Sequence, residues 1–154
     1  MFKWIGPNAK PVVPVLQEML KLPERQEPQE FEDLHAWQLA VEALLSIGET
    51  NLAVSDAMQK LKSKDTLTRV YATEFLNSAQ PTNAAAIASL IEFLRDPTNR
   101  HWAVEDLGEC GAAAKAAVPI LREITSNRTN ELRHAAMQVL EDIEAAVAEE
   151  RDAR

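Results

Sequence analysis

Four stretches of this chain line up without gaps when the sequence is shifted by 32, 31 and 33 residues: 37–47, 69–79, 100–110 and 133–143. Ala40, Ala72, Ala103 and Ala136 share one column, and Leu44, Leu76, Leu107 and Leu140 share another. Glu42, Glu74, Glu105 and Gln138 form a third. Arg69, Arg100 and Arg133 form a fourth, in which Trp37 is the exception. The Ala column, the Leu column and the last one (Ile47, Ala79, Cys110 and Ile143) are spaced i, i+4, i+7, which is one face of an α-helix. Ala adds little bulk at a contact, so neighbouring helices approach closely there. A unit of this length that recurs four times predicts stacked helical repeats.

Each columned helix follows another amphipathic stretch, such as Val54, Ala57, Met58 and Leu61, or Ile87, Leu90, Ile91 and Leu94. Every repeat therefore reads as a helix A, a turn and a helix B. The spacing predicts helix A at about 9–21, 51–62, 83–95 and 113–126, and helix B at about 32–47, 66–79, 99–110 and 130–148. Asp33, Asp65 and Asp96 stand four residues before the Trp/Arg column, where an Asp can cap helix B. Only four glycines occur in 154 residues, which favours helix over sheet. The expected fold is all-α, a right-handed α-α superhelix (solenoid) of about four helix pairs. One repeat domain spans 1–154, with repeats at about 6–48, 49–80, 81–111 and 112–148.

Gly6–Leu16 and Gly111–Leu121 share Gly, Ala, Lys, Val, Pro and Leu at matching places. With Glu131-Leu132-Arg133-His134-Ala135-Ala136 and Leu140, these residues make the chain resemble the HEAT repeat. The resemblance is to the short bacterial form named after phycobilisome lyases. It implies a Pro in helix A, matched by Pro14 and Pro119, and an Asp and Arg near the A–B turn, matched by Asp65 with Arg69 and Asp96 with Arg100. Repeat one departs from it with Trp37, and repeat four with Thr129 in the Asp position. The resemblance implies fold far more than function, because such repeats serve many partners.

Two irregularities interrupt the pattern. Repeat one carries about nine extra residues centred on 23–30, a polar loop that serves either as a tolerated insertion or as a partner contact. At the start, Trp4-Ile5-Gly6 looks like the end of a helix B whose beginning is missing. Either the chain is a section of a longer solenoid, or Phe2, Trp4 and Ile5 cap the first repeat.

The formal net charge of −8 counts against a nucleic-acid partner, since phosphate binding wants a basic face, and it also serves plain solubility. It weighs in the same way against a DNA glycosylase built from such repeats. No apolar run approaches the ~20 residues of a membrane span, and no secretory signal is seen. A single cysteine excludes an internal disulfide, so a cytoplasmic location is the default expectation. The histidines, His35, His101 and His134, are followed by Ala36, Trp102 and Ala135, not by the Glu with which deoxyhypusine hydroxylases hold iron on helical repeats. No zinc pattern, phosphate loop or nucleophile elbow occurs. The expectation is no enzyme, no metal and no cofactor.

The expected function is a non-catalytic interaction module or scaffold that binds another protein or peptide on the concave face. The alternative is a lyase-type or lyase-partner protein handling a tetrapyrrole. With the Ala and Leu columns in the core, the opposite stripe of each helix B should meet solvent. That stripe runs Gln38, Glu42, Leu45; Val70, Glu74, Asn77; His101, Glu105, Gly108; and His134, Gln138, Glu141. Gln38, Glu42, Glu74, His101, Glu105, His134 and Gln138 are the candidate partner-binding residues. Glu42, Glu74 and Glu105 would form an acidic row suited to a basic or mixed polypeptide, unless they are simply good helix formers facing water.

Overall fold

Proline decides where the first helix of two of the pairs begins. The computed structural model describes residues 10–21 and 31–153, with the side chains of 31–35 left aside. Its α-helices are α1 (Val13–Leu20), α2 (Phe31–Ser46), α3 (Thr50–Lys60), α4 (Thr66–Ala79), α5 (Ala84–Phe93), α6 (Arg100–Glu109), α7 (Val118–Ser126) and α8 (Arg133–Asp152). No strand occurs among the described residues. Pro14 and Pro119 each lie in the first turn of their α-helix. A Pro ring offers no N–H and clashes with the carbonyl four residues back, so it is accepted only at a helix start. The backbone ahead of each is wound more tightly: 3-10 geometry at 10–12 before α1, and a 3-10 segment (Gly111–Ala117) before α7. The periodicity read both stretches as continuous α-helix from about 9 and about 113. That reading is corrected by the missing proline hydrogen bond.

The contacts gather in two compact units, Met1–Ala72 and Thr73–Arg154, and the division falls inside α4. In the first unit α2 packs on both α1 and α3. Leu16, Leu20, Trp37, Ala40, Val41, Leu44 and Ile47 are buried there. In the second unit α5 packs on α6 and α7 on α8, while α6 also packs on α8 and α5 on the 3-10 segment. Within the second unit, the second helices α6 and α8 thus meet, and α5 meets the 3-10 segment that leads into α7, which is how stacked pairs bury both of their faces. Ala103 and Ala136 are sealed at 0% exposure, and Gly108 brings α6 so near to α8 that an added Cβ would lie 3.3 Å from Val139. Leu76 and Leu107 are fully buried, whereas Leu140, in the same column, is half-buried.

Both the insertion at 23–30 and the apolar start at Phe2, Trp4 and Ile5 fall outside the described residues. No helix among the described residues is long and apolar enough to cross a membrane.

Candidate functional site

The junctions between paired helices use charge to tie up helix ends. Arg69 donates to the carbonyls of Ser63 (2.9 Å) and Lys64 (3.2 Å), and Arg133 donates through Nε to Thr125 O at 3.0 Å. Thr125 lies in the last turn of α7, whose final carbonyls have no partner within the helix, and Ser63 and Lys64 lie in the turn after α3; an arginine entering from the next helix satisfies such carbonyls. Asp65 caps α4, accepting from the backbone N–H (2.7 Å) and hydroxyl (2.6 Å) of Thr68. Partial burial raises its pKa, but those bonds, the Leu67 N–H and the Arg69 charge outweigh it and hold the carboxyl below its usual range. Asp96 acts differently from a cap: it accepts from Thr98 N (2.9 Å) and Asn99 Nδ2 (2.6 Å) and braces the turn ahead of α6. Asp33 lies within the first turn of α2, not ahead of it, because that helix begins at Phe31.

The first unit has Trp37 where the arginine would be, and another cation takes over. Lys60 Nζ donates to Leu20 O at 3.2 Å, the last carbonyl of α1, and lies 6.0 Å from the Trp37 ring centroid. The indole N–H of Trp37 donates to Asp56 at 2.6 Å, and Lys60 lies 3.6 Å from the same carboxylate. Asp56 is therefore a part-buried acid with both an N–H donor and a cation.

On the second helices, the candidate residues take the following places. Gln38 is half-buried and Glu42 exposed on α2, in the first unit. Glu74 on α4, His101 and Glu105 on α6, and His134 and Gln138 on α8 are all exposed in the second unit. His101 Nδ1 stands 3.7 Å from Glu105, and Gln138 donates to Asp142 at 3.0 Å. No bond joins His101 to His134.

Asn77 departs from the expected stripe. It is only 2% exposed, because the end of α4 turns this position toward the last turn of α6. Burying an amide demands hydrogen bonds, and the chain supplies them. Asn77 Nδ2 donates to Asp106 O (3.4 Å) and Glu109 Oε2 (3.5 Å), and Cys110 Sγ donates to Asn77 Oδ1 at 3.0 Å. Above this network stands the Asp106 carboxyl, half-buried. Burial, then the charges of Glu109 and Glu74, push its pKa up to about 6; a bond from Asn77 pulls the other way, and Glu105 adds a further upward push. Burial, Asp106 and Glu109 likewise push the Cys110 thiol up to about 11, so it stays protonated and unreactive at neutral pH.

Glu74 and Glu105 thus each push up the pKa of one carboxyl, in an acidic set completed by Asp106 and Glu109. The column alignment overlooked these last two. A signal was present: Asp106 shares its column with Ala43, Phe75 and Val139, so a carboxylate replaces an apolar residue there. Among the described residues, no group of three or more His, Cys, Asp or Glu is arranged as metal ligands would be.

Residues 100–127 match the family model described as the PBS lyase HEAT-like repeat. That stretch is similar to a HEAT-like repeat. The matched stretch runs through α6, the 3-10 segment and α7, so it joins the second helix of one pair to the first helix of the next and includes Asp106, Glu109 and Cys110. No curated protein and no solved structure matches the chain. A HEAT-like repeat names an architecture, and function has to be argued from the side chains it displays.

Proposed function

We propose that this chain is a non-catalytic interaction module that binds a basic or mixed polypeptide across its second helices. Its residues in this role are Glu74, Glu105, His101, His134 and Gln138 in the second unit; in the first unit the candidates are Gln38 and Glu42. The observation that supports the reading best is the shared electrostatic environment of Glu74, Glu105 and Glu109 around Asp106. Four carboxylates drawn from two helices form a local negative field that attracts Lys and Arg side chains. The exposed His101 lies on α6 beside Glu105, and the exposed His134 lies on α8.

A lysine- and arginine-rich peptide, titrated into the full chain at low salt, tests this reading. Binding should weaken as salt rises, and the double reversal Glu74→Lys/Glu105→Lys should reduce affinity at least tenfold while the far-ultraviolet circular dichroism stays helical. Unchanged affinity in the double variant would remove the second-helix face from consideration and direct attention to 23–30.

A further inference from the structure

The described turns that lead from a first to a second helix carry charge of the opposite sign to the chain as a whole. The net charge is −8, yet the turn after α3 holds Lys62 and Lys64, with Arg69 just inside α4, against Asp65. In the second unit, the turn after α5 holds Arg95 and leads into Arg100, against Asp96. The turn after α7 holds Arg128 and leads into Arg133, against Glu131. The packing of α6 on α8 brings these last two turns together. A Cβ added at Gly108 would lie 3.3 Å from Val139, and one at Gly111, just past α6, would lie 4.0 Å from Ala146. The contact advances in the same direction along both segments, so α6 and α8 run parallel. Gly108 is eight residues beyond Arg100, and Val139 is six beyond Arg133. At ~1.5 Å per residue, the two helix starts differ in level by only about 3 Å. The turns therefore stand side by side at one end of the second unit, about 8–10 Å apart.

Both turns are braced by their own polar groups, which leaves the arginine charges over. Asp96 is engaged with Thr98 N and Asn99 Nδ2. Asn127 Oδ1 accepts from the backbone N–H and the hydroxyl of Thr129, at 3.1 and 2.9 Å, and Asn130 Oδ1 accepts from Leu132 N at 2.9 Å. Arg133 bonds through Nε to a neutral carbonyl, which leaves its charge uncompensated. No ion pair among the described residues includes Arg95, Arg100, Arg128 or Arg133. Arg95 and Arg128 are exposed. We propose that these two turns form a basic docking edge for an acidic polypeptide segment. A guanidinium grips a carboxylate through two parallel N–H bonds. Carboxylates about three residues apart on an extended segment span the roughly 10 Å between the turns. A nucleic acid fits less well, because it would press a long run of phosphates against a chain that is acidic beyond this edge. The edge differs in sign and in residues from the second-helix glutamates, and it stands whether or not that face is used.

Fluorescence anisotropy of a labelled oligoglutamate peptide, titrated with the full chain at low salt, tests the edge. Saturable binding is expected, and Arg95→Glu/Arg128→Glu should weaken it roughly tenfold or more. Lys115→Glu/Arg151→Glu changes the net charge by the same amount at exposed positions elsewhere in the second unit, and should weaken binding less than about threefold. Equal weakening by the two pairs, or no saturable binding, would overturn the proposal. Tighter binding of an oligothymidylate with the same number of charges would also overturn it, by making the edge a nucleic-acid site. If the reversed pair loses its helical circular dichroism, the milder Arg95→Gln/Arg128→Gln decides. A loss of about threefold or more then supports the edge, and a smaller one overturns it.

Discussion

Asp56 and Asp106 are both partly buried aspartates on short helices, and the chain treats them in opposite ways. Asp56 receives the Trp37 indole N–H at 2.6 Å and stands 3.6 Å from Lys60. Asp106 is surrounded by Glu74, Glu105 and Glu109, with only an amide for relief. A buried charge that is paired and hydrogen-bonded holds a fold together, and removing one partner leaves the other stranded. A buried charge among like charges works against the fold, and such sites are where function tends to lie. The contrast makes Asp56 a support of the fold and Asp106 a strain on it.

Five substitutions sharpen or break that contrast. The largest effect should come from neither acid. Leu107→Ala removes a fully buried side chain and should cost about 2–5 kcal/mol in urea unfolding, which sets the scale. Asp56→Ala removes the acceptor of the Trp37 N–H and the carboxylate beside Lys60, so a loss of about 2–3 kcal/mol is expected. A loss below about half a kcal/mol would place Asp56 with the expendable surface acids and dissolve the comparison.

Asp106→Asn should go the other way. The folded carboxyl titrates at about 6, against 3.8 for the free side chain. A folded-state pKa raised above its unfolded value gives stability that is fully present below about pH 4 and is lost as pH rises through about 6. Half the group is exposed, so solvent screening reduces the effect to about 1–2 kcal/mol. At neutral pH the Asn variant should therefore match or exceed the parent in thermal melting. A marked destabilisation at neutral pH would mean that the charged form is needed by the fold. Lys60→Met completes the set with the smallest effect, about 1 kcal/mol, from losing the Leu20 carbonyl and the Asp56 charge. Arg133→Met should lose a similar amount if lysine in one junction and arginine in the other do the same work.

The two aspartates also divide what was legible in the sequence. The helical fold and the pairing of helices lay in the columns: Ala40, Ala72, Ala103 and Ala136 recur at one place because close helix packing accepts only a small side chain there. Leu44, Leu76 and Leu107 recur because a stacked repeat has one buried face, and periodicity reports that face directly. Caps such as Asp65 were legible too, since a cap and its helix are neighbours in the chain. What only the tertiary structure decided depends on residues distant in sequence. Lys60 reaches the last carbonyl of α1 across 40 positions, and Asn77 turns inward to meet Asp106, Glu109 and Cys110 some 30 positions away. No periodic pattern records which polar group faces which across two helices. The burial of Asp106 among like charges, on which its proton affinity depends, comes into being only when α4 and α6 meet.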